Sequence, residues 1–352
     1  MKFISALLTS CALTPGLFAG SNPVTTTYRV EQSAILSDIP AGAKQVKFWV
    51  SIPDNDRYQE VLDFQAVSVP GTWSVVRDPD RGNRFMLVEV DNPGVATLTA
   101  KVAFTVRRSS VFTQIEPAQV GPITDSVRTL YADDLRLDAP HMSVTPKIKQ
   151  MADEAVGTES NVAKQAFLLL GKVADVADHY SKDPSKPSAD AGDAEACLIN
   201  GGGTCTDMHS LFIALARARG IPARLQMGYR LREANAGKET NPGYRCWVEY
   251  FVPNYGWISS DIVEADDPKG LGRARWFTGL TERRLWLNEG REFNLAGRAV
   301  INHRINTMIV GYAEIDGVEA RVLPDAALKL KSQLSRTVKY TELKPAELTV
   351  SN

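Results

Sequence analysis

The chain has 352 residues, with 40 Lys and Arg against 41 Asp and Glu, a formal charge of −1, 44% apolar and 23% charged residues. That balance excludes a disordered or fibrous chain and gives no electrostatic ground for a nucleic-acid partner or an anionic membrane surface. Acid–base and metal chemistry are limited by supply, because the chain has only four Cys and four His, the latter being His141, His179, His209 and His303.

Residues 1–20 read as a secretory signal peptide: Lys2 precedes the apolar stretch from Phe3 to Leu13, and cleavage is expected near Ala19 or Gly20. This places the mature chain as secreted or periplasmic. A second reading takes Leu8-Thr9-Ser10-Cys11 as a lipoprotein box with Cys11 as the anchor. No later run is long and apolar enough for a transmembrane segment. From 21 to 110 the pattern is strand and turn. Leu98, Ala100, Val102, Phe104 and Val106 alternate with Thr97, Thr99, Lys101 and Thr105, and Asp78 to Asn83 is a turn feeding Phe85 to Val90. These signals predict an N-terminal β-sandwich of immunoglobulin-like kind, within an α+β chain. Residues 111–144 show no clean period and are assigned as a connecting segment.

The span 145–265 is assigned to a second unit, which begins with helices. Thr145 caps, Pro146 fits the first helical position, and Ile148, Met151, Ala152 and Ala155 form a stripe ending at Gly157. A second helix is predicted from Val162 to Tyr180, followed by a loop from Asp183 to Asp193. Thr204 and Asp207 have capping-box spacing, which makes Cys205 the first residue of a helix running to Arg219 and closed by Gly220 and Pro222. A cysteine there sits at the positive end of the helix dipole beside unpaired N–H groups, which favours thiolate. Tyr244 to Val252 and Trp257 to Asp261 read as a hairpin turning at Pro253-Asn254-Tyr255-Gly256. Residues 266–335 are assigned as a strand-rich C-terminal extension of this core, and 336–352 as a polar tail.

The run Gly203-Thr204-Cys205-Thr206-Asp207, the segment Ala216 to Arg224 with Ile221-Pro222-Ala223-Arg224, and the Trp247, Gly256-Trp257 and Asp261 hairpin together resemble the transglutaminase-like core of the papain-like cysteine-enzyme superfamily. The resemblance covers about Thr145 to Asp261, and the β-rich part before it looks like the sandwich preceding this core in secreted bacterial members. It implies a Cys nucleophile, a His two residues before Trp, and an orienting Asp, on polypeptide or glutamine-type amides. Carried over by position, the catalytic candidates are Cys205, Asp261 and, where the family has histidine, Arg245. No cofactor and no metal is expected.

An imidazole takes a proton from a thiol and returns it to a leaving amine, whereas arginine stays protonated and only donates. Arg245 can stabilise a Cys205 thiolate or fork onto Asp261, but it cannot return the proton. Two readings therefore stand. One is thiol-dependent acyl transfer or hydrolysis through Cys205. The other is a pseudoenzyme that uses the fold to bind polypeptide or a cell-surface polymer. His209, one turn after Cys205, reads as a core histidine; His141, His179 and His303 read as surface or structural. Cys197, Cys205, His209 and Cys246 lack the spacing of common zinc sites. Strand alternation turns Cys246 away from Arg245 and Trp247, where it could pair with Cys197 behind the site. Trp247, Trp257, Trp276 and Trp286 read as packing where hairpin meets helix, with an aromatic substrate groove as the other reading.

Overall fold

The computed structural model describes residues 23–187, 191–265, 271–320 and 334–344; the expected signal peptide and Cys11 lie outside them. The chain opens with β1 (Thr25–Leu36), β2 (Gln45–Ser51), β3 (Gln59–Ser68), β4 (Thr72–Arg77), β5 (Arg84–Asp91), β6 (Leu98–Ser109) and the short β7 (Val111–Phe112). Helices α1 (Asp125–Leu130), α2 (Pro146–Val156) and α3 (Val162–Val176) follow. Next come β8 (Asp178–His179), α4 (Ala194–Asn200), β9 (Gly202–Gly203) and α5 (Cys205–Ala218). Strands β10 (Ala223–Arg230), β11 (Arg245–Val252) and β12 (Gly256–Ser260) precede α6 (Ile262–Ala265) and α7 (Arg273–Phe277). The chain then runs through β13 (Gly279–Leu280), β14 (Arg284–Glu289), β15 (Tyr312–Ile315), β16 (Val318–Ala320) and β17 (Leu334–Leu343).

Two antiparallel sheets form the first unit, in the orders β17-β1-β6-β3 and β16-β15-β2-β5-β4. Their inward residues meet in one core: Tyr28, Val30 and Leu36 from β1, Val102, Phe104 and Val106 from β6, and Phe48, Met86 and Val88 from β2 and β5. Burying each of these large side chains contributes about 1.5–3 kcal/mol of transfer free energy.

The C-terminal segments take a different place from the one their local pattern suggests. The span assigned as a polar tail begins inside β17, which pairs with β1 from Thr27↔Leu343 to Leu36↔Leu334. Leu334, Arg336, Val338 and Tyr340 turn inward while Ser335, Lys339 and Thr341 face solvent, so the strand reads as polar by composition although one face is buried. Residues 345–352 lie outside the described part. Among the described residues of the span assigned as an extension of the core, β14 alone joins the core sheet, while β15 pairs with β2 of the first unit. Which sheet accepts a strand depends on tertiary neighbours and leaves no local mark.

The second unit packs α2, α3 and α5 against the antiparallel sheet β12-β11-β10-β14. Helix α5 is its axis: every residue from Cys205 to Arg217 is buried. Phe212 of α5 meets Tyr250 of β11 edge-on, with ring centroids 5.9 Å apart.

Candidate active site

Cys205 is placed by local chemistry on both sides. Helix α4 ends at Gly201 in the left-handed conformation, and Gly202 and Gly203 then pair in parallel with Asp178 and His179. Both positions require glycine. A Cβ on Gly202 would lie 2.2 Å from the Asp178 carbonyl oxygen, and one on Gly203 2.6 Å from Asp207 Oδ2, at φ values of 155° and 146°. Thr204 caps α5 as expected: Asp207 N–H donates to Thr204 Oγ1 at 3.4 Å and Thr204 N–H donates to Asp207 Oδ2 at 2.7 Å. Cys205 is thus the first helical residue, 4% exposed.

The three described cysteines are all free and buried, so the suggested Cys197–Cys246 pairing is absent. Alternation does separate Cys246 from Arg245 and Trp247, but the face it takes is the one that α5 covers. Cys246 sits opposite Met227 in the ladder, and its Sγ lies 3.3 Å from His209 Nδ1 and 3.6 Å from Thr206 Oγ1. Burial raises the thiol of Cys197, which keeps it protonated.

A chain of donors converges on Cys205. The Ile262 N–H donates to His209 Nε2 at 3.1 Å, and burial pushes the His209 pKa down to about 4, so the ring is neutral with its proton on Nδ1. Nδ1–H donates to Cys246 Sγ, and the Cys246 thiol donates in turn to Cys205. That last bond holds the Cys205 thiol well below its ordinary value against the opposing effect of burial, helped by a hydrogen bond from His179 and by the charge of Arg245. Burial and the neighbouring thiolate push Cys246 the other way, so it remains the thiol of the pair. A hydrogen bond to a charged group is worth about 1.5–3 kcal/mol. Cys246→Ala should therefore raise the Cys205 pKa, seen as an upward move of the pH midpoint of iodoacetamide alkylation. An unmoved midpoint would show that Cys246 is no donor.

Arg245 and Asp261 meet, and they do so as a fork. Arg245 Nε donates to Asp261 Oδ2 at 3.0 Å and Nη2 to Oδ1 at 3.1 Å, while Nη2 also reaches Glu264 Oε1 at 3.0 Å. Arg284 Nη2 donates to Asp261 Oδ2 at 2.6 Å, and Arg230 Nη1 lies 2.6 Å from Glu264 Oε1. Asp261 also accepts from the N–H groups of Val263 and Glu264 at the start of α6. Its oxygens are thus occupied by guanidinium and backbone donors, and His209 Nε2 stands 3.7 Å from Oδ1. Glu264, Arg230, Arg284, Cys246 and His179 are the site residues that sequence reasoning missed. For Glu264 a signal existed, since Asp261-Ile262-Val263-Glu264 has the spacing of a helix-capping pair.

The tryptophans mainly pack. Trp247, Trp257 and Trp276 are buried, and Arg224 lies over the Trp257 ring at 3.9 Å. Trp247 and Trp286 line a cavity of about 240 Å³ with Tyr58, Arg224 and Glu249, on the sheet face opposite α5. Among the described residues, no group of three or more His, Cys, Asp or Glu is arranged to hold a metal ion. No described helix is long and apolar enough to cross a membrane.

Comparison with known proteins supports the same core. Residues 149–262 match the model of the transglutaminase-like superfamily core. An uncharacterised protein of Haemophilus influenzae is 25% identical over 315 residues, covering 79% of this chain and 83% of that one. The crystal structure of a candidate cysteine protease from Cytophaga hutchinsonii superposes with a TM-score of 0.59 at 16% identity, covering 91% of this chain and 92% of the other, which supports the fold. The periplasmic domain of TgpA from Pseudomonas aeruginosa aligns at 19% identity over 71% of this chain and 92% of its own, but its TM-score of 0.32 is too low to bear on the fold. Residues 149–262 of this chain thus match the transglutaminase-like superfamily core, the span that carries α5 and the β11–β12 hairpin.

Proposed function

We propose that this protein performs thiol-dependent acyl transfer or hydrolysis on peptide or glutamine-type amides, with Cys205 as nucleophile. The observation that carries this reading is the set of donors around one sulfur: Cys246 thiol, His179 and the Arg245 charge, at the first residue of a capped helix. A preformed thiolate attacks a carbonyl carbon without waiting for a base. The acyl group passes to sulfur, and the thioester then goes to water or an amine. The Cys205 backbone N–H, unpaired within the helix at this position, is a donor for the oxyanion. Arg245 and Asp261 stabilise charge and hold the hairpin end against α6. The Lys2 to Gly20 stretch supports a secreted or periplasmic location, and the two-sheet unit is read as an immunoglobulin-like sandwich preceding the core.

The test is the pH dependence of Cys205 alkylation by iodoacetamide, paired with release of p-nitroaniline from peptide anilides and incorporation of dansylcadaverine into dimethylated casein. We expect alkylation to remain fast well below the titration of free cysteine at about pH 8.5, and alkylation to abolish turnover. A midpoint like that of free cysteine, with no turnover, would leave a binding module. The 4% exposure of Cys205 and the fully engaged Arg245–Asp261 fork are what favour that second reading.

A further inference from the structure

With arginine at the family's histidine position, a proton carrier for the leaving amine has to come from elsewhere. Three of the four histidines are unsuited. His209 is fully buried and its Nε2 is occupied by the Ile262 N–H, so protonation would break a bond and bury a charge. His141 lies between Asp193 and Glu292, at 3.7 and 3.8 Å, and His303 pairs with Glu319 at 2.9 Å. Both rings are thus engaged by carboxylates.

His179 is different. It follows directly on α3, in β8, which pairs with β9 in the register His179↔Gly203, and Tyr180 N–H donates to the Gly203 carbonyl at 2.8 Å. This two-residue bridge sets His179 beside Gly203, two residues before Cys205, and His179 is among the groups that lower the Cys205 thiol. The ring is partly exposed, so it can exchange protons with solvent. Its Nδ1 lies 2.7 Å from Ser181 Oγ and 3.3 Å from Ser181 N. A hydroxyl donates or accepts. Ser181 Oγ can therefore partner Nδ1 in either protonation state, and protonating the ring exchanges only the longer bond from the Ser181 N–H. The Tyr180 ring centroid lies 4.7 Å from that of the imidazole, and the backbone N–H groups of Lys182 and Asp183 donate to the His179 carbonyl; the charged neighbours along the chain are Asp178, Lys182 and Asp183.

We propose that His179 is the general acid and base of the Cys205 reaction, taking over the proton transfer that Arg245 cannot perform. The assignment rests on the Cys205 nucleophile proposed above. In acylation, the Cys205 thiolate forms the C–S bond. As the C–N bond breaks, His179 imidazolium passes its Nε2 proton to the leaving amine nitrogen and becomes neutral, with Nδ1–H on Ser181 Oγ. In deacylation, Nε2 takes a proton from water as its oxygen attacks the thioester carbonyl. The C–S bond breaks with its electron pair returning to sulfur, and the thiolate–imidazolium pair is restored beside a carboxylic acid.

The test compares His179→Gln with the unaltered protein on two acyl donors that differ in leaving group. A p-nitrophenyl ester expels a phenolate that needs no proton, while a peptide p-nitroanilide expels an amine that does. We expect His179→Gln to lower anilide cleavage by about 10²–10⁴-fold and the pre-steady-state ester burst by less than about tenfold, so the same variant reports its own folding. Equal losses on both donors, retained anilide cleavage, or an unaltered protein that gives the burst yet never cleaves the anilide would each overturn the assignment to His179. A burst that is absent, or that survives Cys205→Ser, would instead remove the nucleophile reading itself.

Discussion

Cys205→Ser is expected to lower amide turnover by at least about 10³-fold, the scale on which removing one member of a nucleophile–base unit acts, with the circular dichroism spectrum unchanged. The size of the loss follows from the nucleophile role proposed for Cys205. The Cys246 thiol, His179 and the Arg245 charge stabilise a sulfur anion, and a thiol needs only that, because its ordinary pKa lies within reach of such donors. A hydroxyl is not ionised by the same donors and must lose its proton to a base in the attack itself. The groups here serve that need poorly. Arg245 holds its proton, and His209 Nε2 already accepts from the Ile262 N–H. His179 alone would have to take the proton and return it, from a position set for the longer C–S bond. A serine variant that kept a tenth or more of the original rate would show that the reaction does not run through this atom.

Much of this centre was legible in the sequence because its signals are local. Thr204 and Asp207 mark the helix start three residues apart, Gly220 and Pro222 mark its end, and the hairpin announces itself through alternating strands around Pro253 to Gly256. The resemblance to the transglutaminase-like core then named Cys205, Arg245 and Asp261, and the structure joins Arg245 to Asp261 in a fork. His179 was not legible, for a definable reason. The apolar stripe of α3 continues to Ala177 with no glycine or proline to stop it, so the pattern runs on to Tyr180, whereas the helix ends at Val176 and the next two residues join a parallel bridge. Cys246 was hidden by a different ambiguity. Period two separates the two faces of β11 but does not say which face a helix will cover. The partner of β17 was likewise undetermined, because it pairs with β1 at the far end of the chain.

Asp261→Ala is expected to destabilise the fold by about 3–5 kcal/mol, the range for removing one partner of a buried ion pair. Asp261 is fully buried and accepts two bonds from Arg245, one from Arg284 and two from the backbone at the start of α6. Alanine leaves Arg284 with only Glu264, at 3.4 Å, while its Nε and Nη1 already lack partners among the described residues. The penalty is therefore that of an uncompensated buried guanidinium more than that of a lost contact. The pH dependence carries a definite sign. Burial opposes ionisation of Asp261, but Arg245 and Arg284 outweigh it and hold its carboxyl well below the usual carboxylate range. Because the folded value lies below the unfolded one, the contribution is complete above the unfolded pKa of about 4 and is lost as pH falls toward the folded value. Urea unfolding of the unaltered protein should weaken from about pH 5 downward, and the alanine variant should show a shallower acid slope over the same interval. Loss of stability with no change in that slope would place the acid-sensitive charge elsewhere than at Asp261.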